Sequence, residues 1–182
     1  MRQRVVAFTG ISGVGKTTFL KKLTKQMVFQ HVTGGSLIAA ARNAATDSRD
    51  ELRYADLGEN QRLLIEGFAL ESDANVEVII VDGHAVIDDG VRLMKISSDV
   101  FKAIGVMAMV HLEADPTRIA KNRSKDKGRS RPSYDADMLG THQDMSRKSA
   151  RSIAEKLRVG FHIVTHDDVT HLATLLEGLP SE

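Results

Sequence analysis

Short apolar runs recur along the chain and are separated by longer stretches in which apolar residues return every three or four positions. The runs have the length and composition of buried β-strands. The run at 76–81 is the clearest of them, because it consists almost entirely of Val and Ile. The predicted strands are Val5–Phe8, Met27–Thr33, Val76–Val81, Val106–Leu112 and Phe161–Thr165.

The stretches between these runs have the periodicity of amphipathic helices. In the stretch at 60–72 we expect Leu63, Leu64, Phe68 and Leu70 to face inward. Strands that alternate with helices predict an α/β fold, with a five-stranded parallel sheet and helices on both faces. The predicted helices are Thr17–Gln26, Ser36–Arg42, Asn60–Ser72, Ser97–Ile104, one that opens at Asp115-Pro116, Ala136–Leu157 and Val169–Leu176.

Composition narrows the class of protein. The chain has 182 residues, which fits one domain spanning 1–182, and its formal net charge of +1 gives no overall attraction to nucleic acid or to a membrane. It has no cysteine, which excludes disulfides and thiol catalysis and suits a cytoplasmic protein. We expect neither a signal peptide nor a membrane span.

The segment Gly10-Ile11-Ser12-Gly13-Val14-Gly15-Lys16-Thr17 matches the phosphate-binding pattern GxxxxGK[ST] in full, and it lies between a predicted strand and a predicted helix. Glycines let the backbone curl until several N–H groups point at a phosphate, and the helix N-terminus adds positive potential. The sequence therefore predicts a three-layer P-loop NTPase fold. The expected nucleotide-binding residues are Gly10, Ser12, Gly13, Val14, Gly15, Lys16, Thr17 and Thr18.

Two residues are candidates to hold Mg²⁺. The hydroxyl of Thr17 follows the loop lysine, and Asp82 ends the strand at 76–81. The alternative for Asp82 is a structural one, in which it caps the Asp-Gly turn that follows. For Asp88 and Asp89 the favoured interpretation is a solvated turn before Gly90.

A dense basic stretch runs from Lys121 to Arg131 and includes Arg123 and Arg129. It lacks apolar periodicity, so we expect a mobile excursion that forms a lid rather than a core element. Arginines placed over a moving phosphoryl group would stabilise its charge and exclude water, and Arg147 on the next helix is a further candidate. A solvated loop or an RNA-contacting patch is the alternative.

The chemistry of the acceptor follows from what the loop after the second strand contains. A hydroxyl acceptor usually needs a carboxylate base, and Gly34-Gly35-Ser36 has none, although Asp47, Asp50 or Glu51 could fold back. A phosphate acceptor is already ionised and needs no base. A guanine-reading Asn-Lys-x-Asp is not found in the sequence. These features favour transfer to a nucleoside monophosphate.

From the loop to about Val164, the order of these features resembles adenylate kinases, most closely the archaeal type. The more discriminating segments are Lys125–Arg131, which resembles that family's short arginine-bearing lid, and His142-Gln143-Asp144-Met145-Ser146-Arg147. Three further segments are similar to the family: Arg49–Arg53, Val81-Asp82-Gly83-His84 and His111–Pro116.

The resemblance implies reversible transfer of the ATP γ-phosphate to AMP with Mg²⁺. It implies a monophosphate-binding excursion at about 34–72 and a lid at about 121–135. The implied catalytic residues are Lys16, Arg129, Arg131 and Arg147, and the implied acceptor-binding residues are Gly35, Ser36, Arg42, Arg53 and His84.

The chain departs from the common bacterial and eukaryotic enzymes in its acceptor region. Ala85-Val86 stand where those enzymes have Pro-Arg, and Ala39 stands where they have an arginine, so Arg42 or Arg53 is the candidate substitute. His84 either contacts the acceptor or hydrogen-bonds within the strand-end turn. CMP, UMP and a non-nucleotide phosphate remain alternatives to AMP. So do a P-loop kinase of another small metabolite, a nucleotide-binding regulator and an RNA-associated ATPase.

Overall fold

The computed structural model describes residues 3–42, 57–126 and 134–180. Its main sheet has five parallel strands in the order β2-β3-β1-β6-β7, which confirms the predicted architecture. A separate antiparallel pair, β4-β5, forms a small hairpin. The strands are β1 (Arg4–Thr9), β2 (Gln30–Thr33), β3 (Val78–Asp82), β4 (Val86–Asp88), β5 (Leu93–Lys95), β6 (Val106–Leu112) and β7 (Gly160–Val164).

Helices cover both faces of the main sheet. On one face, Phe8 and Val110 pack with Phe19 and Leu172, while on the other face Ile79 and Met109 pack with Ala150. The central strands β1 and β3 are buried along their whole length, as expected for strands covered on both sides. The helices in the described residues are α1 (Lys16–Leu23), α2 (Gly34–Arg42), α3 (Leu57–Glu71), α4 (Ser98–Ala103), α5 (Pro116–Lys125), α6 (Ala136–Leu157) and α7 (Val169–Glu177).

The carboxyl ends of the parallel strands meet at one edge of the sheet, and this positions the site. Thr9 pairs with His111 across β1 and β6, and Phe8 pairs with Asp82 across β1 and β3. The phosphate-binding loop therefore leaves the sheet directly beside Asp82. Ligands in open α/β sheets bind at this edge.

Two sequence-based expectations are wrong in detail, and one element was missed. The first part of the basic stretch is not an excursion, because Lys121–Lys125 form the last turn of α5. Leu70 does not face inward, since its side chain is 70% exposed near the end of α3. The hairpin β4-β5 was not predicted at all, and it includes Asp88, which accepts hydrogen bonds from the Gly90 amide and the Tyr134 hydroxyl.

The segment at 34–72 contains α2 and α3, which pack against each other, and residues 43–56 between them lie outside the described residues. Its role in binding a monophosphate stays a prediction. The predicted lid at 121–135 begins within α5 and then includes 127–133, which lie outside the described residues. Among the helices that the structure describes, none combines the length and the apolar composition that crossing a membrane requires.

Candidate active site

The loop between β1 and α1 has the backbone conformation that its glycines permit. Gly13 and Gly15 have φ angles of 88° and 102°, in the left-handed region that favours glycine. Gly15 is the N-cap of α1 and provides no side-chain cap hydrogen bond to the first turn of the helix. This arrangement makes the start of α1 an anion-binding site.

Lys16 and Asp82 meet in the centre of the site. The Lys16 Nζ donates a hydrogen bond to the Gly10 carbonyl at 2.9 Å and lies 3.8 Å from Asp82 Oδ1. Burial alone would raise the pKa of Asp82. The hydrogen bond from His31 Nε2 to Asp82 Oδ2, at 3.4 Å, and the charge of Lys16 oppose that effect and leave the pKa of Asp82 below its ordinary value. Asp82 is therefore an ionised carboxylate at neutral pH.

His84 connects two of the elements at this edge of the sheet. Its Nδ1 donates to the Gly10 carbonyl at 2.9 Å, and the residue also lines the central cavity, while its contact with an acceptor stays a prediction. The Gly10 carbonyl thus receives donors from Lys16 and from His84, which ties the end of β1 to the turn after β3.

A cavity of about 890 Å³ extends from this loop across the carboxyl edge of the sheet. One end is formed by loop residues that include Ser12, Gly13 and Thr17. The other end is mostly apolar, with the amides of Asn60 and Gln61 on one side, and its apolar members are Ile38, Leu64, Ile87, Ile96, Val100, Phe101 and Ile104. One continuous space therefore connects a phosphate cradle to an apolar pocket.

Most of the predicted nucleotide-binding residues lie on this cavity. Ser12, Gly13, Gly15, Lys16, Thr17 and Thr18 line it. Gly10 contributes its carbonyl to Lys16 and His84, as described above. Val14 is wholly buried, and its carbonyl accepts from His166 Nε2 at 2.8 Å. The individual roles of these residues stay predictions.

The predicted acceptor and catalytic residues are more dispersed. Gly35 lines the cavity, whereas Ser36 is hydrogen-bonded to Thr33 at the start of α2. Arg42 donates a hydrogen bond to Asn60 and forms an ion pair with Glu59. Arg147 Nε lies 3.1 Å from Glu113 Oε1, and its guanidinium also pairs with Asp144, away from the residues that line the cavity. Arg53, Arg129 and Arg131 lie outside the described residues.

Several polar side chains that the fold brings to the site were not predicted from the sequence. His31 reaches Asp82 from β2, and Arg118, Asn122 and His166 line the cavity beside the loop. A polar residue within the predicted second strand was the one available signal for His31. The positions of the others depend on how α5 and the β7–α7 turn pack against the loop.

A fully buried histidine lies beneath the loop on β6. His111 is 0% exposed, and its Nδ1 lies 2.9 Å from the hydroxyl of Thr9, which donates its proton to the Val110 carbonyl. His111 must therefore donate from Nδ1 in its neutral form. Burial, reinforced by the charges of Lys16 and Arg147, lowers the pKa of His111 to about 4.

This histidine predicts a loss of stability in mild acid. The unfolded chain takes up a proton on His111 near pH 6.5, but the folded chain does so only near pH 4, so its contribution is complete above pH 6.5 and is lost as the pH falls toward 4. Between pH 7 and pH 5 the loss should be about 2 kcal/mol. His111→Asn keeps a donor to Thr9 but does not titrate. Urea unfolding at the two pH values should therefore show a smaller change in unfolding free energy for His111→Asn than for the wild-type chain.

His171 is exposed on α7, so His171→Asn is the matched control and should keep the pH dependence of the wild-type chain. The interpretation would be wrong if His111→Asn lost as much unfolding free energy between pH 7 and pH 5 as the wild-type chain does.

Comparisons with known proteins agree with this geometry. The family model described as "AAA domain" matches residues 9–139. The adenylate kinase of Thermococcus onnurineus is 30% identical over 90% of this chain and 87% of its own length. The adenylate kinase of Thermoplasma volcanium is 30% identical over 76% of this chain and 77% of its own.

Two solved structures share the fold. The shikimate kinase of Acinetobacter baumannii, in complex with shikimate, has a TM-score of 0.63 at 14% identity and covers 99% of this chain and 96% of its own. The shikimate kinase of Bacteroides thetaiotaomicron has a TM-score of 0.57 at 17% identity, with coverages of 96% and 98%. At such low identity, the likeness concerns the fold alone.

A phosphate-binding loop after β1, an ionised carboxylate at the end of the neighbouring strand and a five-stranded parallel sheet define a P-loop nucleotide-binding protein. Sequence similarity over nearly the whole chain narrows that class. The chain belongs to the adenylate kinase family, and it is an ATP-dependent phosphotransferase of the nucleoside monophosphate kinase class.

Proposed function

We propose that this enzyme transfers the terminal phosphate of ATP to AMP with Mg²⁺. The observation that carries the proposal is the single cavity that joins the phosphate cradle at Gly13 and Lys16 to an apolar pocket bounded by Leu64 and Phe101. An apolar pocket of this kind can hold a flat base, and the Gln61 side-chain amide could provide a donor and an acceptor for its edge.

The donor end of the cavity suits the triphosphate of ATP. In our proposal, the Lys16 ammonium binds the β- and γ-phosphates, and the positive N-terminus of α1 attracts further phosphate oxygens. The Thr17 hydroxyl and the Asp82 carboxylate would hold Mg²⁺. Both are hard oxygen donors of the type that this ion prefers, and Asp82 is ionised as Mg²⁺ binding requires. The metal would neutralise charge on the transferred group.

The start of α2 agrees with a phosphate acceptor. A hydroxyl acceptor usually needs a carboxylate base, and Gly34-Gly35-Ser36 provides none, while Asp82 is proposed to hold Mg²⁺. An AMP phosphate is already ionised and needs no such base. Catalysis would then consist of holding the two nucleotides in line and stabilising the charge on the transferred phosphoryl group.

The arginines complete the proposal. Arg129 and Arg131 are proposed to contact the phosphates from the lid, and Arg53 or Arg42 to contact the acceptor phosphate. Arg147 would have to exchange Glu113 and Asp144 for a phosphate when both nucleotides bind. A cytoplasmic location stays a prediction from the cysteine-free composition.

The test of the acceptor combines binding with turnover. A bisubstrate analogue in which ATP is joined to AMP should raise the midpoint of thermal unfolding more than ADP does at equal concentration, because it fills both ends of the cavity and binds only the folded chain. With ATP and Mg²⁺, ADP release should depend on AMP and should be slower with CMP, UMP or shikimate as acceptor.

Two results would contradict this assignment. ADP release at the same rate without any acceptor would favour an ATPase or a nucleotide-dependent regulator. A preference for CMP, UMP or a non-nucleotide acceptor would keep the phosphotransferase but overturn AMP as its substrate.

A further inference from the structure

Three successive carbonyl groups of the phosphate-binding loop are held from outside by side chains of other elements. Arg123 Nε donates to the Ser12 carbonyl at 2.8 Å, and Asn122 Nδ2 donates to the Gly13 carbonyl at 2.9 Å. His166 Nε2 donates to the Val14 carbonyl at 2.8 Å. We call these three side chains, Asn122, Arg123 and His166, the outer brace.

The outer brace comes from two separate parts of the fold. Asn122 and Arg123 lie in the last turn of α5, whereas His166 lies in the turn between β7 and α7. That turn is itself fixed, because the Asp168 carboxylate accepts from the amide and the hydroxyl of Thr165, each at 2.7 Å. The phosphate-binding loop is therefore hydrogen-bonded on one side by α5 and on another side by the turn between β7 and α7.

The packing of His166 leaves its ring little freedom. The residue is 8% exposed, and its ring lies edge-on to Phe19 with the centroids 6.4 Å apart. A Cβ added at Gly15 would lie 2.6 Å from His166 Cε1, so the histidine occupies the space that a side chain at Gly15 would need. Because a carbonyl only accepts hydrogen bonds, the hydrogen on Nε2 is fixed as the donor to Val14.

Peptide geometry links these contacts to phosphate binding. In a planar trans peptide the C=O and the following N–H point in opposite directions. Holding the Val14 carbonyl toward His166 therefore turns the Gly15 N–H away from it, and holding the Ser12 carbonyl toward Arg123 does the same for the Gly13 N–H. Neither amide has an acceptor in the part of the chain that the structure describes, and both glycines line the cavity.

We propose that Arg123 and His166 are positioning residues that turn the Gly13 and Gly15 amides toward the donor phosphates before the nucleotide arrives. Asn122 supports them by holding the intervening Gly13–Val14 peptide, whose N–H donates to the Ile11 carbonyl at 3.2 Å. The brace lowers the entropy that the loop loses on binding a phosphate chain. The inference requires only that the loop binds the phosphates of the donor nucleotide, and it holds whichever acceptor the enzyme uses.

Asn122 and His166 give the cleanest test, because Arg123 carries a permanent charge that a phosphate would attract. His166→Leu and Asn122→Leu each remove a donor, whereas His166→Gln places an amide N–H near the position of Nε2. The probes are ADP, inorganic tripolyphosphate and adenosine, each titrated by calorimetry with the full-length chain. His171→Leu on the exposed side of α7 is the matched control.

We expect His166→Leu and Asn122→Leu each to lower the affinity for ADP and for tripolyphosphate about tenfold, which corresponds to about 1.4 kcal/mol of binding free energy. The affinity for adenosine should be unchanged. His166→Gln should stay within about threefold of the wild-type chain, as a hydrogen-bond donor is retained. If His166→Leu does not fold, Asn122→Leu still tests the brace from α5.

Three outcomes would overturn the proposal. The leucine variants could bind tripolyphosphate as tightly as the wild-type chain, which would mean that the carbonyl contacts do not affect the phosphate site. Their affinity for adenosine could fall as much as their affinity for ADP, which would mean that the substitutions disturb the binding of the base rather than of the phosphates. His166→Gln could be as weak as His166→Leu, which would assign the effect to ring packing rather than to the N–H donor. All three are independent of whether AMP is the acceptor.

Discussion

Lys16→Met should lower the rate of phosphoryl transfer by a factor of about 10³ while the chain stays folded. The Lys16 ammonium is the one charged group of the phosphate-binding loop itself, and it is already within 3.8 Å of Asp82 Oδ1. In the reaction it would face the charge that accumulates on the transferred group. Methionine keeps most of the unbranched stem and removes only that charge.

The measurement is ADP formation from ATP and AMP with excess Mg²⁺, followed at several ATP concentrations so that turnover and ATP binding are separated. Thermal unfolding should shift by only a few degrees, because Asp82 keeps its hydrogen bond from His31. The matched control is Lys21→Met, on the exposed face of α1 in the same helix, and it should behave as the wild-type chain does. Full activity in Lys16→Met would contradict the assignment of the phosphate-binding loop to the catalytic site.

The sheet and the loop could be predicted because local sequence determines them. The run at 76–81 is apolar throughout most of its length and can only be a buried strand or a buried helix, and its length favours the strand. The glycines at 13 and 15 predict the left-handed backbone that the structure has at both positions. These features need no knowledge of the rest of the chain.

The hairpin β4-β5 could not be predicted in the same way. Each of its strands has three residues, which is too short for an alternating pattern to be recognised. Its tight turn is held by Asp89, whose carboxylate accepts from the amides of Val91 and Arg92, and Tyr134 fixes Asp88 from a distant part of the sequence. Tertiary contacts, rather than local propensity, stabilise this element.

The residues of the candidate site also fall into those that local sequence predicts and those that depend on tertiary contacts. Lys16, Thr17 and Asp82 could be predicted because their places follow from strand ends and from a spacing that the chemistry requires. His31, Asn122 and His166 could not, because each acts on a backbone or carboxylate group far away in the sequence. His166 reaches a carbonyl that is 152 residues distant. Such contacts are visible only once the layers of the fold are packed.

Asp82→Asn is the second substitution from which we expect a large effect. It preserves the shape of the side chain and removes the negative charge that, in our proposal, would help to hold Mg²⁺. We expect turnover to fall by a factor of about 10² to 10³ and the Mg²⁺ concentration for half-maximal rate to rise. The affinity for ADP without metal should be unchanged or greater, because a like charge near the phosphates has been removed.

Binding and turnover together distinguish a metal-holding Asp82 from one that only caps the turn after β3. Calorimetry with ADP, in the presence and absence of Mg²⁺, measures how much the metal adds to binding, and that increment should disappear in Asp82→Asn. Asp137→Asn, on the exposed first turn of α6, is the control for loss of one negative charge and should retain the full increment. A wild-type Mg²⁺ increment in Asp82→Asn, combined with a marked loss of thermal stability, would show that the carboxylate serves the turn rather than the metal.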